Sequence, residues 1–507
     1  MLRAVTGVAT ITGATALVGR WSNARGAGEY TARVPFVASD GTGMQESLPP
    51  GAVFSVAIDP LTRKPLTNPY VPAPGFGYSA VVQNVADGRV LALDNSGAPV
   101  GRARYFSGPR EWRWTAAPEC IGDYTIREYA DALGITIGSL GGGRLESLNQ
   151  PELHSQAFLD LLEKTSNAFI IGFALQQQIT FYDFQSADWR RVIADWPAVA
   201  EAIRSGRIPE DYPYNWPLSD SALRWCEHNH LVARAEGLLW GKQIPETIRS
   251  GEFSVDDLWK LLEFMVRVRV LKYRGRIRFW DIADEMVGDI LTIPENAVKP
   301  EFGLANFWYG KLGDYVNEQV AIWAHEADPA AVLIATDDNE MESDWQPFRN
   351  LRSKYFELLQ HYRASRAPIH VGGIQNNFWI YARPTKQEMI ATIMQIQALG
   401  FEFQSTEVTV SVDDVHLWGP GRPKQVNPPD KLAAQAGLYR DLMEAQLETG
   451  CKVFWLGTES DDFSWFADIG RTAAKVALFD EQGKPKPAYF ALLDVLKKRY
   501  QIVGPAS

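Results

Sequence analysis

The chain has 507 residues, more than one compact core usually holds, so two domains are expected. Its composition is that of a globular protein, with 46% hydrophobic and 22% charged residues. The net charge of −11 argues against nucleic acid or an anionic membrane as the main partner, and no segment has the roughly 20 apolar residues of a membrane span. Cys120, Cys226 and Cys451 have no metal-type spacing and are expected to be free thiols.

Residues 1–117 differ in composition from the rest of the chain. They are rich in Gly, Pro, Thr and Val, and segments such as "GAVFSVAID" and "ARYFSG" read as strands between Asp-Gly and Asn-Ser-Gly turns. We therefore predict an N-terminal β-rich, sandwich-like accessory domain over 1–117, with either a carbohydrate-binding or a packing role. The first residues leave two interpretations open. "VATIT" alternates like a strand, whereas the positive start and the small residues 22–24 resemble a cleaved secretory signal, which would favour a secreted or periplasmic location.

From about Glu119 onward, helical segments alternate with short apolar strands. Examples are the helices "YTIREYADALG" and "YGKLGDYVNEQVAIWAHEA" and the strands "AFIIGFA", "IRFWDIADE" and "FEFQSTEVTV". Eight strands, each preceded by a helix, predict an α/β fold in which a (β/α)8 TIM barrel occupies residues 118–507. A doubly wound open sheet is the alternative, disfavoured because no Gly-rich phosphate loop follows any strand.

Two glutamates end strands that would lie apart in such a barrel. "ADE" ends the fourth strand with Glu285, and "STE" ends the seventh with Glu407. Functional residues of a TIM barrel sit where the strands end, so these two carboxyl groups could face each other across the barrel mouth. Glycoside hydrolysis needs such a pair, in which one group protonates the leaving oxygen and the other attacks the anomeric carbon. A separation of about 5 Å would give retention of configuration.

Seven segments in chain order resemble motifs of the glycoside hydrolase family 10 xylanases. "RFWDIADE" is similar to that family's W-D-V-V-N-E, and "FQSTEVTV" to its I-Q-I-T-E-L-D-I. "VGGIQNN" is similar to G-I-G-L-Q-S-H, and "VFWLGTESDDFSW" to V-W-G-V-T-D-K-Y-S-W with two extra residues. The other three are "GLLWGKQIPE", "LIATDDN" and "ALFDEQGKPKPAYFALL". The chain therefore resembles a divergent member of this family.

The resemblance implies roles for individual residues. Glu285 would be the general acid/base and Glu407 the nucleophile of a retaining glycosidase. The residues implied to line the site or contact sugar are Trp240, Gln243, Gln375, Trp455 and Trp465. Asn339 and Asp337, after the fifth strand, would support the site or approach the leaving group. The expected partner is a polysaccharide or oligosaccharide and the chain a monomer. No cofactor or metal is expected, and the acidic run 337–344 is interpreted as a solvated loop.

The sequence departs from the family pattern around the sugar that would be cleaved. Asp284 stands where the family has Asn, Glu236 and Gly241 stand where it has two His, Asn377 replaces a further His, and Thr180 replaces a Lys. An ionised Asp only accepts hydrogen bonds, whereas Asn also donates. We expect Asp284, Glu236 and Asn377 to contact the sugar and to change which sugar is accepted.

These departures remove positive charge and add two carboxylates. Like charges raise a carboxyl pKa, so Glu285 is expected to stay protonated to higher pH, and the same crowding would raise the pKa of Glu407. Three interpretations remain: a retaining glycosidase with altered specificity, a barrel that binds carbohydrate without turnover, and a metal-dependent enzyme of another class. The presence of both glutamates favours the first.

Overall fold

The computed structural model describes residues 125–140, 156–240, 244–287, 307–313, 315–338, 341, 351–381, 383–414, 430–468 and 470–503, together with nine short strands before residue 117. Those nine strands pair antiparallel in sheets of three, four and two strands. They are Val18–Trp21, Ala27–Thr31, Phe36–Ser39, Gln45–Ser47, Val53–Ala57, Ala80–Gln83, Val90–Leu93, Arg102–Ser107 and Arg110–Ala116. A sandwich arrangement and a domain boundary at residue 117 stay predictions.

Eight parallel strands close into a barrel in chain order, with the last strand paired to the first. The strands are Thr136–Ser139, Ala168–Ile170, Val232–Ala235, Phe279–Ala283, Val332–Asp338, Val371–Trp379, Glu402–Ser411 and Val453–Leu456. The eight predicted strands and the predicted (β/α)8 fold are therefore confirmed. All eight carboxyl ends point to one mouth of the barrel, which is where the functional residues of this fold lie.

Helices precede, connect and follow these strands. Within the described residues the longer ones are Ile126–Leu133, Gln156–Thr165, Ser186–Ala194, Trp196–Arg204, Pro217–His228, Val255–Lys272, Phe307–Leu312, Val316–Ala327, Leu351–Ser365, Lys386–Ala398, Lys431–Glu448 and Pro487–Val503. Short helical turns cover Gly172–Leu175, Gln177–Thr180, Glu246–Arg249, Trp465–Asp468 and Thr472–Ala474. Capping boxes at Thr125, Ser254 and Thr385 begin three of the helices, because each side chain accepts a hydrogen bond from an otherwise unpaired backbone N–H. No helix among these residues is long and apolar enough to cross a membrane.

Two predicted elements differ from the structure. The segment 309–327, predicted as one helix, forms part of Phe307–Leu312 and then Val316–Ala327. The break lies at Gly313, whose φ of +87° is left-handed and incompatible with a continuous helix. The second barrel strand ends at Ile170, and the following apolar residues form the helical turn Gly172–Leu175, since an apolar run alone does not distinguish strand from helix.

A small apolar cluster fills the inside of the barrel. Its buried members are Leu140, Ala168, Ile170, Phe279, Ile334, Val371 and Trp455. Trp455 is completely buried, and its indole occupies the space that a Cβ on Gly138 would need. Its indole N–H donates to Gln404 at 3.0 Å. The sequence-based assignment of Trp455 as a sugar-contacting residue is therefore wrong, because its ring is completely buried and fills the barrel interior.

A buried ion pair crosses the barrel next to the Trp455 ring. The guanidinium of Arg234 donates to both carboxylate oxygens of Asp281, at 3.0 and 2.5 Å, and to the carbonyl of Thr406 at 2.6 Å. It also lies 5.0 Å from the ring centroid of Trp455. Both members of the pair are completely buried. The pair therefore joins the third, fourth, seventh and eighth barrel strands.

Removing one charge of this pair should destabilise the fold strongly. We expect Asp281→Asn to lower the free energy of unfolding by about 3–5 kcal/mol, because Arg234 would remain buried without its counter-ion. Chemical denaturation would measure the change. The control is Asp256→Asn, which breaks an exposed pair with Lys260 and should cost less than about 1 kcal/mol. Equal effects of the two variants would contradict this account of the barrel interior.

Candidate active site

Four carboxyl groups meet at the carboxyl ends of three barrel strands. Glu236 follows the third strand, Asp284 and Glu285 follow the fourth, and Glu407 lies in the outer part of the seventh. Charge repulsion from Glu285 acts on Asp284, Glu236 and Glu407, and repulsion from Glu407 acts on Glu236. We call these four residues the carboxyl cluster. Sequence reasoning selected all four, and the structure brings them together.

The backbone at Glu285 is strained. Its φ is +50°, a left-handed conformation that a non-glycine residue adopts at a cost and that is common at functional sites. Neighbouring backbone bonds hold it there, since the N–H of Asp284 donates to the carbonyl of Leu239 at 3.1 Å and the N–H of Val287 donates to a carboxylate oxygen of Asp337 at 2.6 Å. The half-buried Glu285 carboxylate accepts the indole N–H of Trp240 at 3.2 Å.

Neutral donors also hold Glu407. The indole N–H of Trp465 donates to its carboxylate at 2.9 Å, and the side chain of Asn377 bonds to it as well. The hydroxyl of Thr409 donates to the side-chain oxygen of Asn377 at 2.6 Å, which leaves the amide nitrogen to face Glu407. Burial raises the pKa of Glu407 to about 7, the bonds from Trp465 and Asn377 oppose the rise, and the charge of Glu285 adds to it.

Asp284 and Glu236 are buried beside the two other carboxyl groups. Asp284 accepts one hydrogen bond from the side-chain amide of Gln375 at 3.1 Å. Burial raises the pKa of Asp284 well above its usual value, and the charges of Glu236 and Glu285 add to the rise. Glu236 is 6% exposed, and a Cβ added to Gly172 would lie 2.6 Å from its carboxylate oxygen. Burial raises the pKa of Glu236 to about 8, and the charge of Arg234 opposes this.

A second buried arginine supports the loop that carries Glu236 and Trp240. Arg269 lies on the helix Val255–Lys272, is completely buried, and donates to the carbonyls of Leu175, Gly237 and Leu238 at 3.0, 3.3 and 2.8 Å. Sequence reasoning missed Arg269 as well as Arg234 and Asp281. The signal was present, since "VRVRV" and "VARA" place arginines among apolar residues, where a cation needs specific partners.

The remaining predicted residues have different outcomes. Trp240, Trp465, Gln375 and Asn377 lie against the carboxyl cluster, as the hydrogen bonds above show. Gln243, Gly241 and Asn339 lie outside the described residues. Asp337 is buried and bonded to backbone, and Thr180 is buried in the helical turn Gln177–Thr180. Of the acidic run 337–344, residues 337, 338 and 341 are described, and no group of side chains in the described part of the chain could hold a metal ion.

Comparisons with known proteins agree on one family. The model of glycosyl hydrolase family 10 matches residues 171–495. Endo-1,4-beta-xylanase B of Thermotoga neapolitana is 27% identical over 295 residues, 57% of this chain and 77% of that protein. Endo-1,4-beta-xylanase of Geobacillus stearothermophilus is 29% identical over 305 residues, 57% of this chain and 84% of that protein.

Solved structures share the fold at lower identity. Native xylanase 10B from Thermotoga maritima superposes with a TM-score of 0.56 at 21% identity, covering 75% of this chain and 99% of that one. Xylanase 10B from Thermotoga petrophila RKU-1, solved in complex with xylobiose, superposes with a TM-score of 0.56 at 20% identity, covering 75% and 99%. At these identities the superpositions establish the fold alone.

The raised pKa of Glu236 predicts a pH-dependent stability. The folded chain holds this proton up to about pH 8 and the unfolded chain only to about 4.5, so stability is lost as the pH rises through that window. Glu236→Gln removes this loss. We expect it to raise the free energy of unfolding by several kcal/mol at about pH 9, since each unit of pKa shift is worth about 1.4 kcal/mol, and to change it little at about pH 4.

Denaturation at both pH values would measure the effect. The matched control is Glu201→Gln, because the side chain of Glu201 is 80% exposed and its replacement should change the free energy of unfolding little at either pH. A Glu236→Gln variant with the same free energy of unfolding as the wild type at both pH values would contradict the argument that burial raises the pKa of Glu236.

Proposed function

Because the chain belongs to glycosyl hydrolase family 10 and is a glycosidase, we propose that it cleaves β-glycosidic bonds of a xylan-like glycan through Glu285 and Glu407. The supporting observation is the meeting of these two carboxyl groups at one barrel mouth, each held by the indole N–H of a tryptophan. Retention of configuration is general for the family. Glu285 would serve as acid/base and Glu407 as nucleophile.

In the first step the protonated carboxyl of Glu285 gives its proton to the glycosidic oxygen. The bond between that oxygen and the anomeric carbon breaks, and a carboxylate oxygen of Glu407 bonds to the carbon. In the second step Glu285, now ionised, takes a proton from water. The resulting hydroxide attacks the anomeric carbon, and the ester bond to Glu407 breaks. One water is consumed per bond cleaved, and both carboxyl groups return to their starting states.

The left-handed backbone of Glu285 suits this role. It turns the chain sharply at the end of the fourth strand, and Asp337 fixes the next turn by accepting the Val287 N–H. Burial of Glu407 suits a nucleophile less directly, because a pKa of about 7 leaves part of it protonated at neutral pH. The bonds from Trp465 and Asn377 stabilise the ionised form and limit this cost.

The site would accept a different sugar from the one that suits an ordinary member of the family. When ionised, Asp284 and Glu236 offer only acceptors where the family offers donors, and Gln375 uses one of its amide hydrogens on Asp284. A neutral xylose unit would thus find fewer donors for its hydroxyl oxygens, and an anionic uronic acid would be repelled. Altered specificity at the cleaved-sugar position is the finer part of the proposal.

The two catalytic assignments predict separable defects. We expect Glu285→Gln to reduce kcat by about 10²–10⁴-fold on substrates with poor leaving groups and far less on aryl glycosides whose leaving group needs no proton. Glu407→Gln should abolish cleavage of both kinds, because no covalent intermediate forms. Hydrolysis of aryl β-glycosides of graded leaving-group acidity, with Glu201→Gln as control, would measure this.

Two outcomes would overturn these roles. The first is a Glu285→Gln defect that is independent of the leaving group, which would remove the acid assignment. The second is a wild type that binds sugars but turns over none of the panel, which would make the chain a carbohydrate-binding barrel.

The specificity argument predicts a gain of function. We expect Asp284→Asn combined with Glu236→His to raise kcat/KM on xylo-oligosaccharides about 30-fold, since each of the two restored donors is worth about 1 kcal/mol when it bonds a hydroxyl. Unchanged or lower activity, with the fold intact by circular dichroism, would mean that these two positions do not set the specificity.

A further inference from the structure

Three polar side chains from two neighbouring strands meet beside the carboxylate of Glu407. Glu407 and Thr409 lie two residues apart on the seventh barrel strand, so both side chains point to the same face of the sheet. Asn377 is the register partner of Thr409 on the sixth strand. Thr409 is completely buried, Glu407 is 6% exposed and Asn377 is half-buried. The three groups are therefore close enough to act on one another and are largely shielded from solvent.

Hydrogen bonds connect the three side chains in a fixed order. The hydroxyl of Thr409 donates to the side-chain oxygen of Asn377 at 2.6 Å. The side chain of Asn377 bonds in turn to Glu407 and stabilises its ionised form. An amide has an acceptor oxygen at one end and a donor NH₂ group at the other, so a bond from Thr409 to the oxygen leaves the NH₂ group for Glu407.

The orientation of the Asn377 amide decides what Glu407 experiences. The two ends of an amide have nearly the same shape, so packing alone does not select one of them. Turned the other way, the amide oxygen would face the carboxylate, and two acceptors do not bond to each other. Among the described residues, the hydroxyl of Thr409 bonds to Asn377 alone, so turning the amide would leave a buried O–H group without an acceptor.

Packing fixes the Thr409 side chain itself. Gly457 follows the eighth strand, and its N–H donates to the carbonyl of Val408 at 2.9 Å. A Cβ on Gly457 would lie 2.5 Å from the Thr409 methyl carbon and 3.1 Å from Cγ of Glu407. The methyl group of Thr409 thus packs against Gly457 while its hydroxyl bonds to Asn377. Because a β-branched side chain is stiff at χ1, these two contacts together hold one rotamer.

We propose that Thr409 is a positioning residue of the proposed reaction, on which this inference rests. Its hydroxyl holds Asn377 with the amide NH₂ group toward Glu407, and Asn377 then helps to keep the nucleophile ionised. Thr409 acts through Asn377 and not on the sugar. Neither side chain titrates, so the support that they give to Glu407 does not change with pH.

The test is the pH dependence of kcat/KM on an aryl β-glycoside whose leaving group needs no proton. Its acid limb reports the ionisation of Glu407 in the free enzyme. Thr409→Val replaces the hydroxyl by a methyl group and should move this limb to higher pH by about half a unit to one unit, the loss expected for one hydrogen bond. Thr409→Ser keeps the hydroxyl and should leave the limb close to that of the wild type.

The charges that act on Glu407 stay in place in these variants. Glu285 and Glu236 disfavour its ionised form and Arg234 favours it. In an Asn377→Ala background, Thr409→Val should no longer move the acid limb, because its effect passes through Asn377.

The matched control is Thr392→Val, the same exchange at a buried threonine outside the site. The hydroxyl of Thr392 donates to the carbonyl of Glu388 at 2.9 Å within the helix Lys386–Ala398, so this variant should leave the acid limb unchanged.

Two kinds of result separate this inference from the proposed function. An acid limb of Thr409→Val at the wild-type pH, or an equal shift in Thr409→Ser, overturns the inference and leaves the proposed function standing. A wild type without turnover overturns the proposed function, and the inference falls with it. The pH at which the limb lies does not depend on how much of a variant is folded. Thr409→Ala also lacks the hydroxyl and adds no atom, so it gives the same readout if Thr409→Val does not fold.

Discussion

The guanidinium of Arg234 connects the barrel interior to the chemistry at its mouth. It lies on the third strand, bonds to Asp281 on the fourth and to the Thr406 carbonyl on the seventh, and packs on Trp455 of the eighth. Asp281 lies four residues before Glu285, and Thr406 lies immediately before Glu407. One buried cation thereby fixes the two strand ends that carry the paired glutamates. Its charge also lowers the pKa of Glu236 and Glu407 against the effect of burial, so the same group shapes both the geometry and the charge of the site.

Much of this architecture could be predicted from local sequence. Apolar strand patterns, helical periodicity and the order of the motifs predicted the eight strands and the placement of Glu285 and Glu407 on the fourth and seventh of them. The error at Trp455 has a physical origin: a strand pattern gives alternation but not the face of a short strand, and Gly138 leaves the space that lets the indole point into the barrel. The partners of Arg234 and Arg269 could not be predicted from the sequence, because they lie on other strands and loops and sequence spacing does not report such contacts.

The departures from the family pattern form a connected set in the structure. Asn377 occupies the position of a family histidine, and Thr409 occupies that of the aspartate in I-T-E-L-D-I. The two are hydrogen-bonded to each other, and Asn377 bonds to Glu407. The pair beside Glu407 is therefore neutral, and the Thr409 hydroxyl fixes the donor direction of Asn377. Trp240 and Trp465 also donate to the two glutamates through neutral indole N–H groups.

Burial makes the ionised forms of these carboxyl groups costly. Protons offset this cost, since the raised pKa values of Glu236, Asp284 and Glu407 mean that the cluster takes them up readily. A protonated carboxyl donates a hydrogen bond, so at low pH the cluster resembles an array of donors suited to neutral hydroxyls. In the proposed function, sugar binding at this mouth would therefore be coupled to proton uptake by the cluster, and Glu285 with its left-handed backbone is one of the groups that take part.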